Sequence, residues 1–265
     1  MLGSSSLLYS VPRWFEHLSR IESPTLRLFC FPYAGGSADV YRSWQRWFGQ
    51  QCDICLVHLP GRSKSIRERP FTRIKPLVQT LAEFIESESG GVPYALYGHS
   101  MGALICFELA RKLFRNRACG PEHLFVSGRS APHWPSNKLP IFNLPDQEFI
   151  GALKKLKGTH QEVIDNPEVM RFFIKVIRAD FEMTDTYEYC HGEPLRCPVT
   201  VYGGIDDEHV PIESCHAWGE HTSAECEVTM CEGDHFFVRN ARPDFMAAFK
   251  SAVLRTAPAL RSQSI

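Results

Sequence analysis

Several features that would define a special class of protein are missing from this 265-residue sequence. It has no run of about 18 apolar residues, the length that a membrane-spanning helix needs. Its first residues lack the positive start and the apolar stretch of a secretory signal. Positive charge is not in excess, because 29 Lys and Arg face 30 Asp and Glu. We therefore expect a cytoplasmic protein that binds neither nucleic acid nor membranes.

Cysteine is plentiful, but its arrangement fits neither a disulfide framework nor a metal site. The ten cysteines are spread along the chain, and several lie in apolar stretches. Cys30 does so in residues 28–31, where a thiol acts as a small apolar side chain. The pair Cys52 and Cys55 has no second pair at zinc-ligand spacing and no thioredoxin-like setting. We expect no metal site, no redox centre and no cofactor.

One stretch carries the strongest functional signal. Residues 94–97 have the pattern of a buried strand, Gly98-His-Ser100-Met-Gly102 follows, and the apolar residues of 103–110 recur with the helical period. A strand, a sharp Gly-x-Ser-x-Gly turn and a helix form the elbow that presents a nucleophilic serine. A side chain at position 98 or 102 would collide with the neighbouring strand or helix. We expect Ser100 to be the nucleophile.

Two later loops contain an acid and a histidine at the positions where serine hydrolases place them. Asp207 follows the predicted strand 198–203 in a Gly-x-x-Asp-x-x-Val-Pro pattern that is usual for such an acid, and the adjacent Asp206 is a second candidate. His235 is the one histidine that follows the last predicted strand, in a glycine and aromatic loop. The order Ser100, Asp207, His235 therefore predicts a catalytic triad.

Residues 26–31 form the first predicted core strand, and the loop that follows it is a candidate for binding an oxyanion. It reads Pro-Tyr-Ala34-Gly-Gly, and its glycines let the backbone approach a ligand closely. We expect the backbone N–H groups of Met101 and Ala34 to form the oxyanion hole, and a plain turn is the alternative. His99 also lies in the elbow, but its side chain points away from that of Ser100, which favours a packing role.

Strands and helices alternate along most of the chain, which predicts a mostly parallel, doubly wound α/β sheet. The alternation stops between about residues 131 and 189, where prolines precede helical periodicity and a helix start at Asn166-Pro167. We expect a single α/β-hydrolase domain over residues 1–265, with a helical lid insertion at about 131–189. Residues 1–24 are expected to be a loosely attached leading segment.

Five motifs occur in order within about residues 26–250. They are Phe31-Pro-Tyr-Ala-Gly-Gly-Ser37, Leu59-Pro-Gly-Arg62, Gly98-His-Ser-Met-Gly-Ala103, Tyr202-Gly-Gly-Ile-Asp-Asp207 and Gly233-Asp-His-Phe-Phe237. Together they resemble the type II thioesterases of nonribosomal peptide and polyketide synthases, and the related medium-chain thioesterase of fatty acid synthase. The resemblance implies a free-standing serine enzyme that removes acyl groups from the phosphopantetheine arm of a carrier protein. The sequence departs from the family pattern at two places. Family members often have His where Tyr33 stands, and they commonly have a second Gly and a Pro where Glu232 and Asp234 frame Gly233.

The partner that the resemblance implies is an acyl-loaded, phosphopantetheinylated carrier protein. Residues 63–75 hold five basic residues and one acid, which suits either a solvated loop or a docking site for an acidic carrier. A medium-chain fatty acyl thioesterase and a general carboxylesterase are alternative activities. A third alternative is a non-catalytic binding protein of this fold. Such a protein is expected to lack part of the triad, whereas all three positions are filled here. We expect a monomer.

Overall fold

A seven-stranded β-sheet forms the centre of the protein in the computed structural model, which describes residues 11–19, 21–116, 120–136, 138–159, 161–239 and 242–257. The strands are β1 (Phe15–His17), β2 (Leu26–Phe31), β3 (Cys52–Val57), β4 (Tyr94–His99), β5 (His123–Ser127), β6 (Val199–Gly204) and β7 (Cys226–Cys231). Their order across the sheet is β1-β3-β2-β4-β5-β6-β7. All neighbours pair in parallel except β1 and β3, so six strands end at one edge of the sheet.

Helices cover both faces of this sheet. The α-helices are α1 (Gln45–Phe48), α2 (Ile74–Ser89), α3 (Met101–Asn116), α4 (Asp146–Leu156), α5 (Gln161–Asp165), α6 (Pro167–Asp185), α7 (Ile212–His216) and α8 (Pro243–Thr256). Short 3₁₀ helices span Val11–Trp14, Ala38–Trp44, Ser63–Ser65 and Ala217–His221. None of the helices described has the length and apolar character needed to cross a membrane.

Alternate residues of the buried strands belong to two separate apolar cores. In β2, Phe29 packs into a core with α2 and α3, whereas Leu28 packs into one with Trp44 and with Phe249 of α8. This follows from strand geometry, because successive side chains point to opposite faces. A sheet that is buried on both faces needs strands that are apolar throughout, and β3 and β4 are buried at every residue. The doubly wound fold that the sequence predicts is confirmed.

The sequence predicts a loosely attached leading segment over residues 1–24, of which residues 1–10 lie outside the described residues. The structure differs from this prediction in the part that it describes. Phe15 pairs with Val57 in an antiparallel edge strand, and Trp14 is fully buried. The indole Nε1 of Trp14 donates to Glu68 Oε2 at 2.8 Å. The expectation of loose attachment is therefore wrong for residues 11–17, because the outer edge of β3 offers backbone partners that a three-residue strand can use.

Between β5 and β6 the described residues form three helices, α4 to α6, and no strand. The start of α6 follows its sequence signal, because Asn166 Oδ1 accepts from the backbone N–H groups of Glu168 and Val169 and Pro167 opens the first turn. These helices share a small apolar cluster that includes Phe149, Ile164 and Met170. The insertion thus has a core of its own beside the cores of the sheet.

Candidate active site

The elbow between β4 and α3 has the geometry that its sequence predicts. Strand β4 ends at His99, helix α3 begins at Met101, and Ser100 stands alone between them. Its φ of +53° lies in the left-handed region, which costs a residue with a side chain on the order of 1 kcal/mol or more. The backbone N–H of Ser100 donates to Ser127 O at 2.8 Å, across to β5. The strand and helix thus hold Ser100 at the tip of a strained turn.

Glycine is required on both sides of Ser100 for steric reasons. A Cβ atom at Gly98 would lie 2.2 Å from the backbone carbon of Gly102. A Cβ atom at Gly102 would lie 2.3 Å from Phe31 O at the end of β2. Real Cβ atoms do not approach backbone atoms so closely, so the expected collision at both positions is confirmed.

The acid and the histidine meet at the same edge of the sheet. Asp207 follows β6 and His235 follows β7, and His235 Nδ1 lies 2.6 Å from Asp207 Oδ2. An ionised carboxylate can only accept hydrogen bonds, so Nδ1 carries the proton and Nε2 presents a lone pair. The Asp207 side chain is fully buried, whereas that of His235 is 18% exposed. The imidazole is therefore the part of this pair that remains accessible to a ligand.

The two candidate acids have different surroundings. Asp207 also accepts from the backbone N–H of His209 at 2.9 Å. Burial acts to raise the pKa of the Asp207 carboxyl, but the hydrogen bond and charge of His235 and the His209 N–H outweigh it, so this pKa lies below its ordinary value. Asp206 is exposed, and its backbone N–H donates to Gly233 O. The structure thus brings Asp207, and not Asp206, to His235.

His99 connects the elbow to the His235 loop as a packing residue. Its ring is fully buried and its centroid is 5.1 Å from that of His235. Nδ1 of His99 lies 2.8 Å from Ser127 Oγ. Burial, followed by the nearby charges of His235 and Arg239, holds the pKa of His99 well below its ordinary value. A neutral, buried ring agrees with the predicted packing role of His99. Because His99 directly precedes Ser100, its contact with His235 also brings the His235 ring close to the elbow.

Residues 32–37, called here the oxyanion loop, lie beside the elbow. The close approach of Gly102 to Phe31 O and Pro32 O brings the start of this loop against the first turn of α3. Within the loop, Gly36 N donates to Tyr33 O at 3.0 Å, which closes a tight turn around Ala34. Met101, the other expected donor, is the first residue of α3, and the N–H groups of a helix's first turn have no partner within the helix itself. The role of both N–H groups stays a prediction.

Arg239 is a contact residue that sequence reasoning missed. Its Nε donates to Tyr33 Oη at 3.1 Å, and its guanidinium lies 3.8 Å from the ring centroid of Phe236. It also donates to the carbonyls of Lys157 and Gly158, just beyond α4. One side chain thus joins the oxyanion loop, the His235 loop and the insertion. Its only signal in the sequence is a basic residue four positions after His235, which is too common to interpret.

Neither of two possible metal-binding groups has the character of a metal site. Among the described residues, Glu16, Asp39 and His58 could together hold an ion, but both acids pair with Arg42 at 2.5–3.1 Å. The hydrogen bond to Arg42 is the main reason that the pKa of Glu16 falls to about 2. The thiol pair Cys52 and Cys55 is buried, and burial raises both pKa values, which leaves them in the unreactive form.

Comparison with known proteins identifies the family. The sequence profile of the thioesterase domain family matches residues 26–252. The chain belongs to the thioesterase domain family. This thioesterase is 40% identical over 237 residues to the gramicidin S biosynthesis protein GrsT of Aneurinibacillus migulanus, an alignment that covers 89% of this chain and 92% of GrsT.

Solved structures of similar proteins have the same fold. BorB, a type II thioesterase from the borrelidin biosynthetic cluster, has a TM-score of 0.81 and 32% identity, covering 90% of this chain and 96% of BorB. YbtT, the type II thioesterase of the yersiniabactin pathway, has a TM-score of 0.79 and 32% identity, covering 93% and 98%. The predictions of an α/β-hydrolase fold and of a type II thioesterase are confirmed. This protein is a thioester hydrolase.

Replacing members of the predicted triad should separate their roles. Ser100→Ala should reduce hydrolysis of an acyl-coenzyme A to background while the far-ultraviolet circular dichroism spectrum stays unchanged, because only Oγ is lost. Asp207→Asn should lower kcat by about 10³- to 10⁴-fold, because an amide NH₂ favours the imidazole tautomer that cannot accept a proton from serine.

The adjacent acid provides the matched control for the second substitution. Asp206→Asn should retain a kcat near that of the wild type, because its side chain is exposed and Asp207 holds His235. Full activity in Asp207→Asn together with loss in Asp206→Asn would reverse the assignment of the acid.

The steric requirement at the elbow can be tested apart from the chemistry. Gly98→Ala should lower the free energy of unfolding by about 3 kcal/mol or more, because its Cβ would overlap backbone atoms of Gly102. Gly151→Ala, in α4, is the control. Apart from the adjacent residues and the backbone of its own helix, nothing lies within 4 Å of its added Cβ, so this change should be neutral or stabilise by about 0.5–1 kcal/mol. Equal thermal denaturation of both variants would contradict the account of the elbow.

Proposed function

We propose that this thioesterase hydrolyses acyl groups from the phosphopantetheine arms of carrier proteins in a nonribosomal peptide or polyketide synthase system, with Ser100, His235 and Asp207 as its catalytic triad. The observation that supports this most strongly is the hydrogen bond between Asp207 and His235, together with the 5.1 Å approach of the His235 ring to that of His99, which directly precedes the strained elbow serine. The pathways named for GrsT, BorB and YbtT support the choice of substrate. The role is to edit blocked arms or to release products.

The proposed reaction uses only groups of this chain and water. His235 Nε2 takes the proton of Ser100 Oγ as it attacks the thioester carbonyl, and Asp207 stabilises the imidazolium that forms. The backbone N–H groups of Met101 and Ala34 bind the oxyanion, each contributing about 10²- to 10³-fold in rate. His235 then returns its proton to the departing thiol of the arm. The same imidazole then takes a proton from water as the water attacks the acyl-enzyme, and it returns that proton to Ser100 Oγ as the acid leaves.

We propose further that the chain is one α/β-hydrolase domain over residues 1–265, in which residues 131–189 form a helical lid. The separate apolar cluster of α4 to α6 supports this, because a lid that moves needs internal packing that survives the movement. Apolar lid residues would also line an acyl channel. We infer a monomer in the cytoplasm, and the free state of the nine cysteines that lie within the described residues fits a reducing compartment.

The basic segment, residues 63–75, is the proposed docking site for an acidic carrier. Its five basic side chains are exposed: Lys64, Arg67, Arg69, Arg73 and Lys75. The one acid in the segment, Glu68, accepts the hydrogen bond of the Trp14 indole. The segment begins just after β3, at the edge where Ser100 also lies. A carrier bound there would approach the active site from the side of the oxyanion loop.

The substrate class is tested by presenting one acyl group on three leaving groups. We expect kcat/KM for the acyl-carrier to exceed that for the acyl-coenzyme A by at least about tenfold, since about 1.4 kcal/mol of added protein contact supplies that ratio. A phenyl ester of the same acid should be a poorer substrate than either. Equal rates on all three would favour a general carboxylesterase, and a preference for free medium-chain acyl-coenzyme A would favour fatty acid release.

Charge reversal tests the docking site. Arg67→Glu together with Arg69→Glu should raise KM for the acyl-carrier about tenfold, because like charges would then oppose an acidic partner. KM for the acyl-coenzyme A and kcat should change little. Arg46→Glu is the control. Arg46 is exposed on α1, and this helix precedes the amino end of β3, at the edge of the sheet opposite to that of the active site. An equal effect of both changes on carrier turnover would exclude docking at this segment.

A further inference from the structure

Asp180 of α6 reaches the oxyanion loop with a buried carboxylate. The backbone N–H of Gly35 donates to Asp180 Oδ2 at 2.8 Å. The Asp180 side chain is 1% exposed, although it lies on a helix of the insertion and 145 residues away in sequence. A backbone N–H in a loop is ordinarily satisfied by water or by a local turn, so this long-range partner determines where the loop lies.

Arg62 closes the contact into a network of three segments. Its Nη2 donates to Asp180 Oδ1 at 2.5 Å, and its Nη1 donates to Gly36 O at 3.0 Å. Arg62 follows β3, so one guanidinium joins the loop after β3, the oxyanion loop and α6. The planar fork of arginine allows both bonds at once. Both charged side chains are buried, so each depends on the other to offset its lost hydration.

Close packing leaves this network little freedom. Gly35 has a φ of +71°, and a Cβ added there would lie 3.4 Å from Ile177 Cγ2 of α6. A Cβ added at Gly61, next to Arg62, would lie 3.0 Å from Val176 Cγ2 of the same helix. Side chains of α6 therefore rest directly on the backbone of both loops. A displacement of α6 would move Asp180 away from Gly35.

The network controls the peptide plane that carries the N–H of Ala34. That plane also contains Tyr33 O, which accepts from Gly36 N. Gly36 O in turn accepts from Arg62, and the next N–H along the chain, that of Gly35, donates to Asp180. Two peptide groups of the loop, those that carry the Gly35 N–H and the Gly36 carbonyl, are thus held from outside the loop. The bond from Gly36 N to Tyr33 O links the plane of the Ala34 N–H to them. The orientation of the Ala34 N–H follows from them, without any contact between Asp180 and substrate.

We propose that Asp180 and Arg62 are positioning residues that orient the Ala34 N–H, so that the oxyanion hole is complete only while α6 is seated. This inference rests on the proposed function, because it assigns the oxyanion to that N–H. It links closure of the insertion to the rate of the chemical step. A second ion pair of α6, between Arg73 and Glu182 two residues beyond Asp180, also joins this helix to the body. It is partly exposed, and its partner on the body is the residue before α2 instead of the oxyanion loop.

The decisive substitution is Asp180→Asn. Whichever way the amide is turned, its NH₂ group faces a donor, either Gly35 N–H or Arg62, so one of the two bonds is lost at constant side-chain size. We expect kcat on an acyl-coenzyme A to fall about 10²-fold, with KM changed little, because the lost interaction belongs to the transition state. The affinity for an alkyl boronic acid, whose adduct with Ser100 is tetrahedral, should fall in proportion to kcat/KM.

Glu182→Gln is the matched control, since it removes the charge of the neighbouring ion pair on the same helix. It should leave kcat and boronate affinity near wild-type values, whatever it does to the melting temperature. Equal kcat and boronate affinity in Asp180→Asn and Glu182→Gln would overturn the proposal. So would a fall in kcat for Asp180→Asn with unchanged boronate affinity.

Arg62→Lys tests the same point without leaving an unpaired buried charge. One ammonium cannot reproduce the planar fork that holds Asp180 and Gly36, so we expect a smaller but parallel loss of kcat and boronate affinity. Parallel losses here support the proposal even if Asp180→Asn does not fold, and unchanged values overturn it. Equal wild-type rates on the acyl-carrier, the acyl-coenzyme A and the phenyl ester would instead contradict the proposed function, and they would leave these comparisons of kcat and boronate affinity unaffected.

Discussion

The first turn of α3 lies against the ends of β2 and β4 so closely that no Cβ fits at Gly98 or Gly102. This contact leaves Ser100 a single place and a left-handed backbone conformation, with φ +53°. The strain of that conformation is small beside the burial of β4 and α3, which belong to the main apolar core. The position of the serine is therefore set by the packing of β4 and α3 in the core and does not depend on the loops that carry the other groups of the site.

The parallel sheet brings the remaining groups to the same edge. The oxyanion loop follows β2, Asp207 follows β6 and His235 follows β7. The end of β6 lies against the His235 loop, because a Cβ added at Gly204 would lie 2.6 Å from Asp234 O. Because β2 and β6 are buried and β7 pairs with β6 along its whole length, errors in the relative positions of these loops are small. Buried polar contacts then adjust them further, as Asp207 does for His235 and as we infer Asp180 does for the oxyanion loop. On this inference the insertion contributes to the site and does not act only as the proposed lid.

Sequence reasoning succeeded where the determining interactions are local. The elbow glycines, the Asn166 cap and the strand ends that precede Asp207 and His235 are each readable within a few residues. It failed where partners are distant in the chain. The contacts of Trp14 with Glu68, Arg62 with Asp180 and Arg239 with Tyr33 span 54, 118 and 206 residues. No periodicity or turn signal marks such pairs, so only the folded backbone reveals them.

The central claim, that packing presents Ser100 as the nucleophile, is tested most directly by covalent labelling. An alkyl fluorophosphonate should add once to the folded enzyme, with loss of fluoride, and abolish thioester hydrolysis. Intact-mass spectrometry and peptide mapping should place that adduct on Ser100 alone. Inactivation with the adduct on a different residue, or an enzyme fully labelled at Ser100 that still hydrolyses thioesters, would contradict the account.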